Sequence, residues 1–253
     1  MTREREPARR VGGNPVELGD ALRTTGTVRE FTDEPVPDTL VYDVLDTARF
    51  APSGGNRQPW RVVLVHDPEQ RRAVADAYLD AWHEYVGHLR AGLVPFSPLA
   101  TPGEQTSAQG EIPAAIAASP PDGFAENLSR VPVMLVVVVD VAALAATDRD
   151  LGRYQFVGGA SVYPFAWNIL LVARSRGLGG VMTTVATRNE PRLRTALKLS
   201  ESQAVAAVMA LGRPRRQVTS LTRRTVEQFC TVDTVEGSIF NPYSTSPNTS
   251  SLS

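Results

Sequence analysis

The segment from Ala51 to Trp60 carries the residues of this chain that are best suited to hold a small molecule. It reads APSGGNRQPW, so two glycines, a serine, an asparagine and a glutamine precede a large aromatic residue. Glycine permits close approach of the backbone to a ligand, and the three polar side chains offer directed donors and acceptors. The pattern favours a loop that holds a flat polar ligand. Turns are rich in the same residues, so a helix-stopping turn with Trp60 anchoring the next strand is the alternative interpretation.

Two other clusters, far apart in the sequence, have the composition of anion-binding sites. The first is TGTVR, from Thr25 to Arg29, and it follows a predicted helix. The second is RPRR, from Arg213 to Arg216, and it is followed by Arg223 and Arg224. Hydroxyl groups and guanidinium groups suit a phosphate, because arginine bonds it through two parallel donors. A solvated basic loop is the alternative interpretation of each cluster.

Residues for acid–base or metal chemistry are scarce in this sequence, which contains 3 histidines and 1 cysteine. His83 and His88 lie five positions apart on a predicted helix, whereas the helical zinc motif needs a spacing of four. The glycine-rich stretch Gly177–Gly180 follows a predicted helix and precedes a strand, the reverse of the order in a dinucleotide fingerprint. We therefore predict no metal site, and we expect an organic cofactor to carry the reaction while the protein binds and orients it.

Composition excludes several classes of partner. The 253 residues include 26 Lys+Arg and 27 Asp+Glu, so the net charge of -1 provides no basic field for nucleic acid or anionic lipid. The longest apolar run, from Val131 to Val139, is too short to span a membrane, and no apolar signal sequence follows Met1. The single Cys230 leaves no intramolecular disulfide and favours a reducing compartment. We expect a cytoplasmic protein that binds neither nucleic acid nor membrane.

The periodicity of apolar residues predicts strands that are separated by helices, as in a helix-covered sheet. Strands are predicted at 61–66, 133–139, 181–186 and 204–211, with the run Val62 to Val65 of the first strand buried on both faces. Helices are predicted to begin at Asn14, after the cap residue Asp38, at Pro68 and at Asn189. The helix after Asp38 ends before Pro52, and a further helix is predicted over 158–176 with a bend at Pro164. The helix over 158–176 is apolar nearly all round, so we expect it in a deep core or in a subunit interface.

The sequence predicts one domain over 14–240, between a mobile arm at 1–13 and a disordered, largely Ser, Thr, Asn and Pro tail at 241–253. Residues 91–130 contain six prolines and only a short helical possibility near 114–118. Connections of this length are uncommon unless they have a function, so we predict a lid over a binding site.

The order and spacing of these segments resemble the nitroreductase family of flavin enzymes, from about Leu22 to Phe229. The markers are Val28-Arg29-Glu30-Phe31 with Pro35-Val36-Pro37, the loop from Ala51 to Trp60, Gly177-Leu178-Gly179-Gly180, Gly212-Arg213-Pro214, and Arg223-Arg224-Thr225-Val226-Glu227. The stretch Val181-Met182-Thr183-Thr184 is also similar to the flavin-contacting strand of the iodotyrosine-deiodinase branch.

The resemblance implies an α+β fold, a nitroreductase-like sandwich in which helices flank a mostly antiparallel central sheet. It further implies an intertwined homodimer with FMN at its interface. The FMN phosphate and ribityl chain would contact Thr25, Thr27, Arg29 and Arg223. The isoalloxazine ring would face Pro52, Ser53, Gly54, Asn56 and Gln58, joined by Met182, Thr183 and Thr184 mainly through backbone groups.

One departure from the family pattern concerns the phosphate. Family members usually carry Arg-Arg or Arg-His before the serine that Thr27 replaces, and Thr25-Gly26 stand there in this chain. A full positive charge is thereby lost, and Arg224 or Arg215 would have to compensate for it.

The function that the resemblance implies is hydride transfer from NADH or NADPH, through FMN, to a flat small-molecule acceptor by a ping-pong mechanism. Nitroaromatics, quinones and conjugated carbonyls are the expected acceptors, and no catalytic side chain is required. Two alternatives stay open. One is a reductive dehalogenase of the deiodinase type, with Glu84, Tyr85 and Arg90 as lid residues. The other is a flavin-binding accessory protein without turnover.

Overall fold

An antiparallel sheet lies at the centre of the fold. The computed structural model describes residues 16–243, which form two units divided between Thr219 and Ser220. The first unit contains the strands β1 (Trp60–Leu64), β2 (Val133–Asp140), β3 (Gly179–Thr183) and β4 (Gln203–Gly212), in the order β1-β2-β4-β3. All three strand pairs are antiparallel, as predicted. The predicted arm, the helix start at Asn14 and the tail beyond residue 243 lie outside the described residues.

Helices cover both faces of the sheet. They are α1 (Leu18–Thr24), α2 (Asp38–Ala48), α3 (Pro68–Arg90), α4 (Pro102–Gly110), α5 (Ile112–Ala117), α6 (Tyr163–Ser175) and α7 (Glu190–Leu197). Side chains alternate along β2, so Leu135 and Val137 join a core with α2 and α6, while Met134 and Val136 join a second core with α3 and α7. The α+β sandwich predicted from the sequence is therefore confirmed.

The strand position within the sheet explains one incorrect prediction. The run Val62 to Val65 is predicted to be buried on both faces, but only Val65 is buried, whereas the three residues before it are half-buried. Strand β1 has a partner on one side only, and the edge of the sheet leaves part of its surface open. The equally apolar β2 is central, and seven of its eight residues are buried.

Two helix starts also differ from prediction. The predicted helix over 158–176 is a 3₁₀ turn at Val157–Ser161 followed by α6, and Pro164 lies in the first turn of α6 rather than at a bend. Proline is accepted there because the first helical amides have no intrahelical partner. Helix α2 begins at Asp38 itself, with Pro37 as its cap residue.

The segment 91–130 is more ordered than its prolines suggested. Helices α4 and α5 lie within it and pack against α3. Thr101 and Glu104 form a capping box at the start of α4, with Pro102 in the first turn. That combination is a sequence signature of a helix start, so the helix was visible in the sequence.

A glycine permits the close packing of α3 on α4. A Cβ atom at Gly87 would lie 2.7 Å from the carbonyl oxygen of Ala108 and 3.2 Å from Cγ1 of Ile112. By contrast, a Cβ atom at Gly103 of α4 would meet nothing within 4 Å.

We expect Gly87→Ala to lower the free energy of unfolding by about 1–3 kcal/mol, because the added methyl group overpacks this contact. Gly103→Ala is the matched control, and we expect it to be neutral or stabilising by up to about 1 kcal/mol. Urea unfolding of both variants measures the difference. Equal effects of the two substitutions would show that α4 does not pack on α3 in this way.

Candidate functional site

The first group of predicted site residues lies along the outer edge of β3. The amide of Val28 donates to the carbonyl of Gly180 at 2.9 Å, and Thr27 pairs with Gly180 in an isolated parallel bridge. The glycine at position 179 permits this approach, because a Cβ atom there would lie 2.8 Å from Val28 Cγ2. Backbone groups alternate in direction along a strand, so those of Met182 point to the same edge as those of Gly180. Thr27 and the Met182 backbone therefore share one open edge.

A buried tyrosine connects this edge to Arg29. Tyr78 of α3 is 3% exposed, and its burial raises the pKa of its hydroxyl to about 12, while the charge of Arg29 and a hydrogen bond with the Thr183 side chain oppose that rise. The hydrogen bond places Tyr78 beside Thr183, and the charge of Arg29 acts on the same hydroxyl. Sequence analysis placed Tyr78 only on the inner face of its helix and did not connect it to the site.

The two predicted anion-binding clusters are neighbours in the fold. The amide of Arg215 donates to the carbonyl of Glu30 at 3.0 Å, next to Arg29. Arg29 and Arg215 line the same cleft, whose volume is about 1070 Å³. Arg213 is ion-paired with Glu34, so its charge is already matched. Arg215 is thus the arginine of the second cluster that lies beside Arg29.

The same cleft also contains acidic groups, so its charge is mixed. The remaining titratable residues on its wall are Glu30, Asp33, Glu34, His66, Asp122 and Arg130. A phosphate in this region would therefore be held by particular arginine contacts rather than by a uniformly positive surface.

Thr25 has a structural partner. Its side chain is largely buried, and its hydroxyl donates to the carbonyl of Ala21 at 2.7 Å, which closes the last turn of α1. The hydroxyl proton of Thr25 is therefore occupied, while Thr27 and Arg29 are exposed. The role of Thr25 as a phosphate contact stays a prediction.

The second group of predicted residues forms a loop that is held by its own side chains. Ser53 Oγ accepts from the amide of Gln58 at 2.9 Å, and Asn56 Oδ1 accepts from Gln58 Nε2 at 3.1 Å. Gly55, Asn56 and Gln58 have φ of 60°, 52° and 48°, in the left-handed region that few residues other than glycine and asparagine adopt readily. Pro52, Gly54, Asn56 and Gln58 are exposed. The loop is a preformed, open surface.

One face of α6 and of the turn before it holds this loop in place. The residues at 161, 165 and 168 have the spacing of one helical face. Their contacts are a hydrogen bond from the Gly54 amide to Ser161 Oγ (3.0 Å), a stack of the Trp60 and Phe165 rings (4.7 Å between centroids), and a hydrogen bond from Asn168 Nδ2 to the Ala48 carbonyl (3.2 Å).

The two groups lie at opposite corners of the sheet. Trp60, at the end of the loop, pairs with Val139, whereas Gly180 pairs with Leu211 and Leu211 with Val133. From the strand geometry, this separates Gly180 from Trp60 by roughly 20 Å along the strands and by roughly 14 Å across them. A single chain therefore does not bring all the predicted contacts together.

Arg223 and Arg224 belong to the second unit, residues 220–243. Both are exposed, and Arg223 Nη1 donates to the carbonyl of Thr222 at 2.7 Å. This unit also contains a 3₁₀ turn at Val226–Gln228 and a bridge between Thr231 and Ile239. Contact of the two arginines with a phosphate stays a prediction.

A smaller cavity, of about 200 Å³, lies between α3, α4 and the connection that joins them. Its wall includes Glu84, His88, Phe96 and Arg188. Arg188 donates to Glu84 Oε2 from Nη2 at 3.2 Å and lies over the Phe96 ring, 5.0 Å from its centroid. Among the other residues proposed for a deiodinase-type lid, Arg90 is ion-paired with Glu111 at 2.9 Å.

Within residues 16–243, no group of three or more His, Cys, Asp or Glu side chains has an arrangement that could hold a metal ion. No helix in that range has the length and apolar character needed to cross a membrane.

Comparison with known proteins tests the family resemblance. The sequence profile described as the nitroreductase family matches residues 22–213. A chloronitrobenzene nitroreductase of Comamonas testosteroni is 29% identical over 231 residues, which are 85% of this chain and 96% of the relative. Iodotyrosine deiodinase 1 of Rattus norvegicus is 24% identical over 230 residues, 88% of this chain and 72% of the relative. The similarity to both branches is confirmed.

A solved structure shows the same fold. It is a putative nitroreductase in complex with FMN from Desulfovibrio desulfuricans, with a TM-score of 0.57 and 21% identity. The match covers 83% of this chain and 92% of that chain.

The raised pKa of Tyr78 predicts a loss of stability in alkaline solution. The unfolded chain releases the phenolic proton near pH 10, whereas the folded protein retains it to about pH 12, so the stabilising contribution is complete below pH 10 and disappears between pH 10 and 12. A shift of this size corresponds to about 3 kcal/mol.

We expect Tyr78→Phe to remove the fall in the free energy of unfolding between pH 10 and 12, as measured by urea unfolding from about pH 8 to about pH 12. Tyr243 is 89% exposed, and Tyr243→Phe should leave the wild-type profile unchanged. A Tyr78→Phe variant that loses stability between pH 10 and 12 as steeply as wild type would contradict the assignment.

Proposed function

The chain belongs to the nitroreductase family, and we propose that it is an FMN-dependent oxidoreductase that passes a hydride from NADH or NADPH to a flat acceptor. The observation that carries this proposal is the open edge of β3, where exposed Thr27, exposed Arg29 and the backbone of Met182 lie together. This edge has hydrogen-bonding groups for a flavin ring beside a cation for its phosphate.

The charge and shape of the residues at this edge fit FMN. Arg29 and Arg215 offer guanidinium groups to a phosphate from one cleft, and the Thr27 hydroxyl is exposed beside them. The backbone of Met182 offers a donor and an acceptor to the polar margin of a ring. Arg215 compensates for the arginine that Thr25-Gly26 lack, because its backbone is fixed next to Arg29 by the hydrogen bond to Glu30.

The loop from Pro52 to Gln58 completes the site from a second copy of the chain. The separation of the two half-sites supports this arrangement, since a tricyclic ring at the β3 edge does not extend to the loop of its own chain. Exposed apolar side chains on the helices that pack against α6, and in the turn after α2, also support association, namely Leu18, Leu22, Tyr42 and Phe50. A symmetric homodimer would create two such sites.

Bound FMN would supply the chemistry, by accepting a hydride from the nicotinamide and passing it to the second substrate in a ping-pong sequence. The chain's own residues bind and orient. The Met182 amide is a fixed donor for negative charge, and it requires no reorganisation during the reaction. Tyr78 keeps its proton at neutral pH, because burial raises its pKa to about 12, so it serves as a hydrogen-bonding group rather than as a base.

The acceptor class that we propose is a single-ring nitroaromatic compound, ahead of quinones and conjugated carbonyls. The name of the Comamonas relative supports nitroaromatic substrates. The cavity beside Phe96 has about 200 Å³, less than the roughly 300 Å³ at which pockets for drug-sized ligands begin. The segment 91–130 supplies Phe96 and α4 to this cavity, which supports its role as a lid. The deiodinase alternative is less well supported, because Glu84 and Arg90 already have ionic partners.

The cofactor assignment predicts that FMN fluorescence is quenched on titration with the protein. We expect Arg29→Ala to weaken FMN binding by roughly 10- to 100-fold, the effect of losing a charge-assisted hydrogen bond. Arg72, exposed on α3, provides the control, and Arg72→Ala should bind like wild type. Absence of quenching by wild-type protein would contradict the cofactor. Steady NADH or NADPH oxidation with nitrobenzene separates an enzyme from an accessory protein.

The proposed lid predicts a separation of acceptor choice from cofactor affinity. Phe96→Ala enlarges the cavity, so we expect kcat/KM for two-ring nitroaromatics to rise relative to kcat/KM for nitrobenzene. A gain of about 1.4 kcal/mol in the binding of the larger substrate would raise this ratio about tenfold. FMN affinity should stay within twofold of wild type. Leu99→Ala, at an exposed position of the same segment, should change neither quantity. Parallel losses of FMN affinity and of activity in Phe96→Ala would contradict the lid.

A further inference from the structure

The loop from Pro52 to Gln58 has a single hydrogen-bonded tether to the rest of the first unit, among the residues that the structure describes. Its other hydrogen bonds run within the loop, from Asn56 to Ser53, from Arg57 to Gly54, and from Gln58 to Ser53 and Asn56. The tether is the bond from the Gly54 amide to Ser161 Oγ, at 3.0 Å. A loop that is internally bonded moves as a unit, so this one contact decides where its middle lies.

The contact at Gly54 is close as well as polar. Ser161 is 7% exposed, so the hydrogen bond is shielded from water. A Cβ atom at Gly54 would lie 3.2 Å from the Ala145 Cβ and 3.4 Å from Ser161 Oγ. The loop is therefore seated directly on the segment 145–161, and only a glycine fits there without displacement.

Asp148 fixes the turn that carries Ser161. The carboxylate is 2% exposed, and its Oδ2 accepts from the amides of Phe156 (2.9 Å) and Val157 (3.3 Å) and from Arg153 Nη1 (3.0 Å). The Phe156 amide is the main group that lowers the pKa of this carboxyl, so it is ionised at neutral pH. The 3₁₀ turn from Val157 to Ser161 starts at these amides. Asp148 thus anchors one end of the turn while Ser161 holds the loop from the other.

We propose that Ser161 is a positioning residue for the flavin site, and that its hydroxyl acts through the Gly54 amide to set the position of the loop against the ring. The role rests on the proposed function. Ser161 does not touch the reacting atoms; it keeps the Gly54 backbone flat and close, so that the exposed groups of Asn56 and Gln58 meet the cofactor in one geometry.

The test compares Ser161→Ala, which removes the acceptor, with Ser161→Thr, which retains a hydroxyl. Ser175→Ala is the control, because Ser175, at the far end of the helix that follows the Ser161 turn, also makes one hydrogen bond, to the Val172 carbonyl, away from the loop. Hydrogen–deuterium exchange of the peptide 51–60 is measured without FMN. FMN affinity and the visible circular dichroism of bound FMN are then measured.

In Ser161→Ala we expect exchange at 51–60 to accelerate and the FMN dissociation constant to rise, each by about fivefold, as for one lost hydrogen bond. The flavin circular dichroism should change, and Ser161→Thr should restore all three quantities, while Ser175→Ala changes none. Wild-type exchange in Ser161→Ala would overturn the proposal. So would faster exchange with unchanged FMN affinity and spectrum. Failure of wild-type protein to bind FMN would refute the proposed function and this role together, a result distinct from the other two.

Discussion

The packing of α6 against the sheet and against α2 is the interaction on which the candidate site depends. Its buried residues Phe165, Ile169 and Leu170 join the core shared with β2 and β4, and each such side chain contributes about 1.5–3 kcal/mol by burial. The helix has 13 residues and is therefore about 20 Å long. Its beginning holds the loop before β1, and its end leads through Gly177, with φ of 76°, directly into β3.

This single helix therefore sets the distance between the two half-sites. Neither half moves toward the other without unpacking the core, so the separation is a fixed property of the chain rather than of one loop conformation. In the homodimer that we propose, a second copy related by a two-fold axis would supply the missing half without any internal change. If the cofactor carries the reaction, the protein only has to bind and orient it on a fixed surface. This explains why acid–base residues are scarce in the chain.

The sequence was most informative where one physical effect dominates. The unbroken apolar run of β2 required burial on both faces, and the composition of the Ala51–Trp60 segment required an irregular, polar surface. Boundaries were less predictable, because Pro164 is compatible with both a bend and a helix start, and the choice depends on the preceding glycines of the 3₁₀ turn. The partial exposure of β1 depends on sheet order, which local periodicity does not contain.

The candidate site was predictable in its residue types but not in its partners. Tyr78 had no signal beyond a place on the buried face of its helix, because its link to Arg29 and Thr183 arises only when α3 packs against the sheet. Thr25 has the composition of a phosphate ligand, and in the fold its hydroxyl also donates to a local partner, the Ala21 carbonyl, which accepts the Thr25 amide as well. Such competition between local and distant partners is decided by tertiary distances, and these cannot be derived from spacing along the chain.

The most direct test of a site shared between two copies is to mix two inactive variants. Arg29→Ala damages the β3 half, and Gly54→Val damages the loop half by displacing it from Ala145 and Ser161. Unfolding and refolding them together yields hybrids in which one of the two sites contains neither substitution, so we predict recovery of about a quarter of the wild-type rate of nitrobenzene reduction by NADH or NADPH. If both halves of each site came from one chain, every site in the mixture would carry a substitution, and activity that stays at the level of the separate variants would contradict the account.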